Sequence, residues 1–187
     1  TDGKISYLSK HAPEEKPAQI IDATGMVLMP GLINCHTHLP MQLLRGYADD
    51  LKLQEWLNDY IFPREDRLDG RCVRAATTLA VAECLKFGVT SVSDMYYFCD
   101  DICDVIAKSG MKANISRGTS MFLGDDFDFE KFPACQELVA LKEKWHNYDG
   151  GRIKIEASIH AEYTSTYQLW DALSEFCINE GIGMQVH

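Results

Sequence analysis

From residue 32 onward, short apolar segments of strand length alternate with longer amphipathic segments of helical period, and this alternation restricts the fold more than any other feature. Strands are read at residues 32–35, 89–93, 112–116, 152–159 and 182–187, and helices near 53–60, over 69–87, from about 101 to 109, over 130–145 and over 166–180. In 69–87 the apolar positions Val73, Ala76, Leu79, Ala80, Ala82 and Leu85 recur at helical spacing, and Gly88 marks the stop. Gly110 ends the next helix in the same way. Successive parallel strands need a crossover, and a helix is the usual one. The pattern therefore predicts an α/β fold with a parallel sheet, either doubly wound or curling toward a barrel. Ahead of it, 4–9 and 19–23 read as two short strands around the polar loop 10–17, and 26–29 as a further apolar strand.

Bulk properties narrow the function classes. The 187 residues can bury one sizeable core but are too few for most large barrels. A net charge of −10 argues against nucleic acid or an anionic membrane surface as partner. No run approaches the 18 or so apolar residues of a membrane span, and the N-terminus lacks a signal-peptide pattern. The seven cysteines are an odd, scattered set, which suits reduced thiols and a cytoplasmic setting. Cys99 and Cys103 read as packing residues on one helix face. No Gly-x-Gly-x-x-Gly follows a strand, so a dinucleotide fold has little support.

Chemistry-bearing residues gather where the strands end. His36 and His38 stand with one residue between them in an extended segment, so both imidazoles point to the same side and could grip one ion. The other strand ends carry Ser93-Asp94, Ser116-Arg117, Ser158 with His160, and His187. Each has a bland reading: Asp94 could cap a turn, Arg117 could pair with the acidic loop 125–128, and His160 could be a satisfied rim histidine. Together they fit a metal site, because active sites of parallel α/β folds sit at the C-terminal ends of the strands.

Pro30-Gly31-Leu32-Ile33-Asn34-Cys35-His36-Thr37-His38, Leu43-Leu44-Arg45-Gly46, Glu55-Trp56-Leu57, Phe62-Pro63-Arg64-Glu65-Asp66-Arg67, Ser116-Arg117-Gly118 and Val186-His187 closely resemble the amidohydrolase superfamily. Within it the chain is most similar to the 5-methylthioadenosine/S-adenosylhomocysteine deaminases and chlorohydrolases, along essentially its whole length. The resemblance implies the first five βα units of a TIM-like (β/α)8 barrel over 26–187, preceded over 1–25 by part of a small β-sandwich domain. It implies His36, His38 and His187 as ligands of one divalent metal ion, zinc or alternatively iron. Glu65 would hold the ribose hydroxyls of an adenosine-type substrate, Arg117 and His160 would contact substrate, and Trp56 would wall the pocket. Dinuclear relatives carry a carboxylated lysine at the end of strand four; here that place holds His160, and Lys154 lies near the strand's start, which points to a single ion.

The same resemblance marks what is missing. The proton-shuttling glutamate, the strand-six histidine and the strand-eight aspartate of the family have no counterparts in these residues, so no catalytic set is complete. The expected reading is the N-terminal half of a longer hydrolase, inactive alone, partnered by its C-terminal half, forming a homo-oligomer and binding no nucleic acid and no membrane. The expected substrate is a small heterocyclic amine, foremost an aminopurine nucleoside. A guanine or triazine deaminase, a chlorohydrolase, or a non-catalytic half-barrel are the alternatives. Where thioadenosine deaminases often carry a second arginine, this chain has Asp125-Asp126-Phe127-Asp128-Phe129, which would receive an anionic substrate tail poorly.

Overall fold

The computed structural model describes residues 4–124 and 126–186. The chain divides into two compact units, residues 1–30 and 31–187. In the first, residues 4–30 form no strand or helix and are exposed throughout, including Ile5, Leu8, Ile20 and Val27. The strands expected at 4–9, 19–23 and 26–29 are thus not formed. A strand is held by a hydrogen-bonded neighbour, and alternating apolar residues without one remain coil. The β-sandwich portion expected for 1–25 accordingly does not appear in the described residues.

The second unit is the α/β body. β1 (Leu32–Thr37), β2 (Val89–Tyr96), β3 (Lys112–Arg117), β4 (Ile153–Ile159) and β5 (Met184–Val186) form one sheet in chain order, every neighbouring pair parallel. The connections carry α1 (Leu53–Glu55), a π-helical turn (Trp56–Ile61), α2 (Phe62–Glu65), α3 (Gly70–Lys86), α4 (Cys99–Ser109), α5 (Pro133–Trp145), the short α6 (Tyr148–Gly151) and α7 (Tyr167–Glu180). A 3-10 turn, Leu39–Leu44, follows β1. All five strands and the long helices form at the expected places, with β2 running on to Tyr96 beyond its expected end at residue 93. No helix among the described residues is long and apolar enough to cross a membrane.

One side-chain contact reports the curvature. Ser93 Oγ on β2 donates to Gln185 Oε1 on β5 at 2.8 Å. In a flat sheet those strands would lie about 14 Å apart, three spacings of roughly 4.8 Å. The sheet must therefore be strongly curled, as an arc of a barrel is. Its convex side is dry: Ile153, Ile155, Ala157 and Ile159 are fully buried and cluster with Ile102 and Ile106 of α4, Leu138 of α5 and Leu169 and Leu173 of α7. Cys99 and Cys103 belong to this core, as the helical face predicts. Its concave side is polar, with Asn114 Nδ2 donating to Glu156 Oε1 at 3.0 Å beside Gln185.

Local chemistry fixes the ends. Asp69 Oδ1 accepts from Cys72 N–H at 2.8 Å and caps α3. Gly110, at φ 78°, closes α4 in the left-handed region that a side chain disfavours. Arg152 then collects the carbonyls left over at that helix end, donating from Nη1 to Met111 O (2.8 Å) and Ile106 O (3.2 Å), and from Nη2 to Ala107 O (3.0 Å). At Gly31, where the chain enters β1, a Cβ would run into the Thr90 side chain, so only glycine allows this approach to β2.

Candidate metal and substrate site

β1 delivers two imidazoles to its C-terminal end. His36 Nε2 and His38 Nε2 are 3.3 Å apart. His38 Nδ1 sits 2.6 Å from Met95 O, and a carbonyl only accepts, so Nδ1 carries the proton and Nε2 the lone pair. That is the tautomer a metal needs, oriented by a partner behind the ligand. Two nitrogens at 2.0–2.1 Å from a tetrahedral zinc would stand about 3.3–3.4 Å from each other. The pair therefore fits a zinc-sized ion, which would replace a proton shared between the two rings. Among the described residues no group of three or more His, Cys, Asp or Glu is placed to hold a metal. His187, the expected third ligand, lies outside the described residues. Lys154 Nζ is engaged by Asn147 Oδ1 in the loop before β4, away from these rings.

A buried carboxylate holds the backbone around this pair. Asp94 on β2 is fully buried and pairs in register with Thr37. Its Oδ1 accepts from Leu39 N–H at 2.6 Å and from Thr37 Oγ1 at 2.8 Å, gripping the residues on both sides of His38. Its Oδ2 is buried without a hydrogen-bond partner. Burial pushes the Asp94 carboxyl up to about 7, against the lowering effect of the Leu39 and Thr37 hydrogen bonds. Sequence reading placed Asp94 at a strand end as a turn cap or site residue. It lies instead two residues inside β2, because the strand runs on through Tyr96.

Next to His38 opens a cavity of about 200 Å³, walled by Trp56, Ile61, Phe62, Glu65, Tyr96 and His160 among others. The π-helical turn explains how Trp56 and Glu65 share it. In an unbroken α-helix a residue nine positions on points roughly 180° away, whereas one extra residue in a wide turn returns the phase by about 100°. Glu65 is half-buried and accepts from Tyr96 Oη at 2.7 Å. Burial raises its carboxyl above the ordinary glutamate range, the Tyr96 hydrogen bond opposes this, and Asp66 adds to the rise. His160, directly after β4, lies 2.9 Å from Thr164 Oγ1 through Nδ1.

Arg117 ends β3 in a second, wider cavity of about 440 Å³ that shares Phe62, Glu65, Tyr97 and His160 with the first. Its guanidinium stacks over the Tyr97 ring, 4.7 Å from the centroid. Nε donates to Glu137 of α5 and Nη1 to Gly118 O. Pairing with the acidic loop, one of the bland alternatives, is thus replaced by pairing with Glu137. Within that loop Asp128 pairs with Lys131, Phe127 and Phe129 pack inward, and Asp125 is outside the described residues.

The structure brings His36, His38, Trp56, Glu65, Arg117 and His160 to one end of the curled sheet. Sequence reading missed Tyr96, Tyr97, Glu137 and the Met95 carbonyl. The tyrosines were legible as aromatics adjoining a strand end; a backbone carbonyl has no signal of its own in a sequence.

A parallel β/α arc carrying a His-x-His at the C-terminal end of its first strand is the architecture the chain presents. The amidohydrolase family profile matches residues 27–187, and the chain belongs to that family. It is 34% identical over 183 residues to a 5-methylthioadenosine/S-adenosylhomocysteine deaminase of Dictyoglomus thermophilum, covering 98% of this chain and 42% of that protein. It is 37% identical over 187 residues to a 5'-deoxyadenosine deaminase of Methanosarcina acetivorans, covering 100% and 42%. A zinc-bound adenosine deaminase structure from Xanthomonas campestris superposes with a TM-score of 0.76 at 31% identity, over 85% of this chain and 36% of that one. The chain therefore spans about two-fifths of the length of the curated relatives it matches.

Proposed function

We propose that these residues form part of a mononuclear, zinc-dependent aminohydrolase that releases ammonia from an aminopurine nucleoside. The observation that carries the reading is the His36–His38 pair, set at a tetrahedral ligand spacing, with the His38 tautomer fixed by Met95 O and His38 opening onto the cavity of Glu65 and Trp56. His187 is assigned as the third ligand on the resemblance at Val186-His187. The remaining ligand and the proton-transfer groups are assigned to sequence outside this chain, in keeping with its two-fifths coverage of relatives. Names of those relatives, adenosine-type deaminases, support the substrate class.

When bound, the metal supplies Lewis acidity that activates water. The chain's own residues bind and orient the substrate. Trp56 and Phe62 give a flat ring an apolar wall. Glu65, with Oε1 taken by Tyr96, keeps Oε2 to accept a ribose hydroxyl. His160 sits at the junction of the two cavities, where it can hold the substrate between them. The test is ammonia release by the protein expressed through its full reading frame, on 5-methylthioadenosine, 5'-deoxyadenosine, adenosine and guanine. Turnover of a nucleoside, lost together with zinc binding in His38→Ala, is expected. No turnover of any of these by zinc-loaded protein refutes the reading.

A further inference from the structure

The wider cavity is where charge decides what can extend beyond the first. Among the described residues its charged walls are Glu65, Asp66 and Glu137 against one cation, Arg117. Glu137 takes the Nε of that cation, Gly118 O takes an Nη1 proton, and Tyr97 covers one face. Even with a proton on Glu65, two carboxylates face one guanidinium that is already paired. A carboxylate entering this space would have to displace Glu137 from Arg117 and would meet Asp66 unscreened. An uncharged substituent meets instead the faces of Phe62 and Phe122.

Resting on the nucleoside reading above, we infer that Glu137 is a specificity-determining residue: by occupying Arg117 it makes the site favour nucleosides with an uncharged 5′ substituent over those ending in a carboxylate. The two cavities share Phe62, Glu65, Tyr97 and His160, so a ligand whose ribose is held at Glu65 projects its 5′ side toward Arg117. Glu137 stands on the outer helix α5 with its side chain 53% exposed, so its replacement leaves the core untouched.

The probes are 5'-methylthioadenosine and 5'-carboxymethylthioadenosine, which differ by one carboxylate. Dissociation constants are measured for both on the zinc-loaded, full-reading-frame protein, in wild type, Glu137→Gln and Glu137→Gln/Arg117→Met. Wild type should prefer the uncharged probe. Glu137→Gln should move the ratio about tenfold toward the carboxylate, the scale of one charge-assisted hydrogen bond, and the added Arg117→Met should cancel that gain. A ratio unchanged in Glu137→Gln, or shifted further from the carboxylate, overturns the inference, the latter because Glu137 would then be orienting Arg117 for an anion. Failure of wild type to bind either probe overturns the nucleoside reading, and this inference with it.

Discussion

Replacing Asp94 by Asn should remove a specific pH dependence of stability. Unfolded, the carboxyl titrates near its ordinary 3.8; folded, it holds its proton to about 7 because burial outweighs the Leu39 and Thr37 hydrogen bonds. Below pH 4 both states are protonated and the difference contributes nothing to the pH slope. Between pH 4 and 7 the unfolded chain has released its proton while the folded one retains it, so stability falls as pH rises. Above pH 7 the loss is complete and the curve levels. At 1.36 kcal/mol per pH unit the displacement amounts to ~4 kcal/mol. Asn keeps an oxygen for Leu39 N–H and Thr37 but cannot ionise, so Asp94→Asn should lack this term. Urea unfolding of both proteins from pH 4 to 7.5, with a chelator present, gives the comparison, and all other titrating groups cancel in the difference. The stability of Asp94→Asn minus that of wild type should rise by ~4 kcal/mol across the range. A constant difference would refute the assignment of a protonated, buried Asp94.

Other perturbations test other links. Ile155→Ala, at a fully buried position on the central β4, should cost about 4 kcal/mol in chemical denaturation, and a loss below 1 kcal/mol would contradict the dry packing of the sheet's convex side. Arg152→Ala strands three carbonyls at the end of α4 and should cost about 2–4 kcal/mol, with faster amide exchange at residues 106–111 as the local signature. Tyr96→Phe removes the hydrogen bond that lowers the Glu65 carboxyl, so the acid limb of nucleoside binding should move to higher pH; an unmoved limb would take Tyr96 out of the site.

The parts of this fold that were legible in the sequence are those where burial decides. β4 alternates fully buried isoleucines with partly exposed residues, and α3, α4 and α7 end at Gly88, Gly110 and Gly181 as helix chemistry requires. Where burial does not decide, pattern misleads. Residues 4–9 and 19–23 have strand-like composition but join no sheet among the described residues, and they stay coil. Ser93-Asp94 resembled a strand end because a charged residue inside a central strand is unfavourable; Asp94 survives there by accepting two hydrogen bonds and holding its proton. The π-helical turn at Trp56–Ile61 was invisible for a related reason, since the one-residue excess shows only when Trp56 and Glu65 are found on the same wall.

The His36–His38 pair illustrates how polar groups take over when apolar burial cannot set a register. Leu32 and Ile33 of β1 are 51% and 69% exposed, in contrast to the fully buried isoleucines of β4, so hydrophobic contact alone leaves β1 free to slide. A slip of one residue would turn both imidazoles to the opposite face, because side chains alternate along a strand. What opposes the slip is local and directional: Gly31 admits Thr90, Asp94 grips Thr37 Oγ1 and Leu39 N–H, and Met95 O takes the His38 Nδ1 proton. The first two constraints fix where the backbone runs, and the third fixes which nitrogen carries the lone pair. The β1 register and the His38 tautomer are thus set by the neighbouring strand β2. The His-x-His motif acquires its paired geometry only once the adjacent parallel strand is in place, which is why His36 and His38 could be proposed from sequence but their 3.3 Å pairing could not.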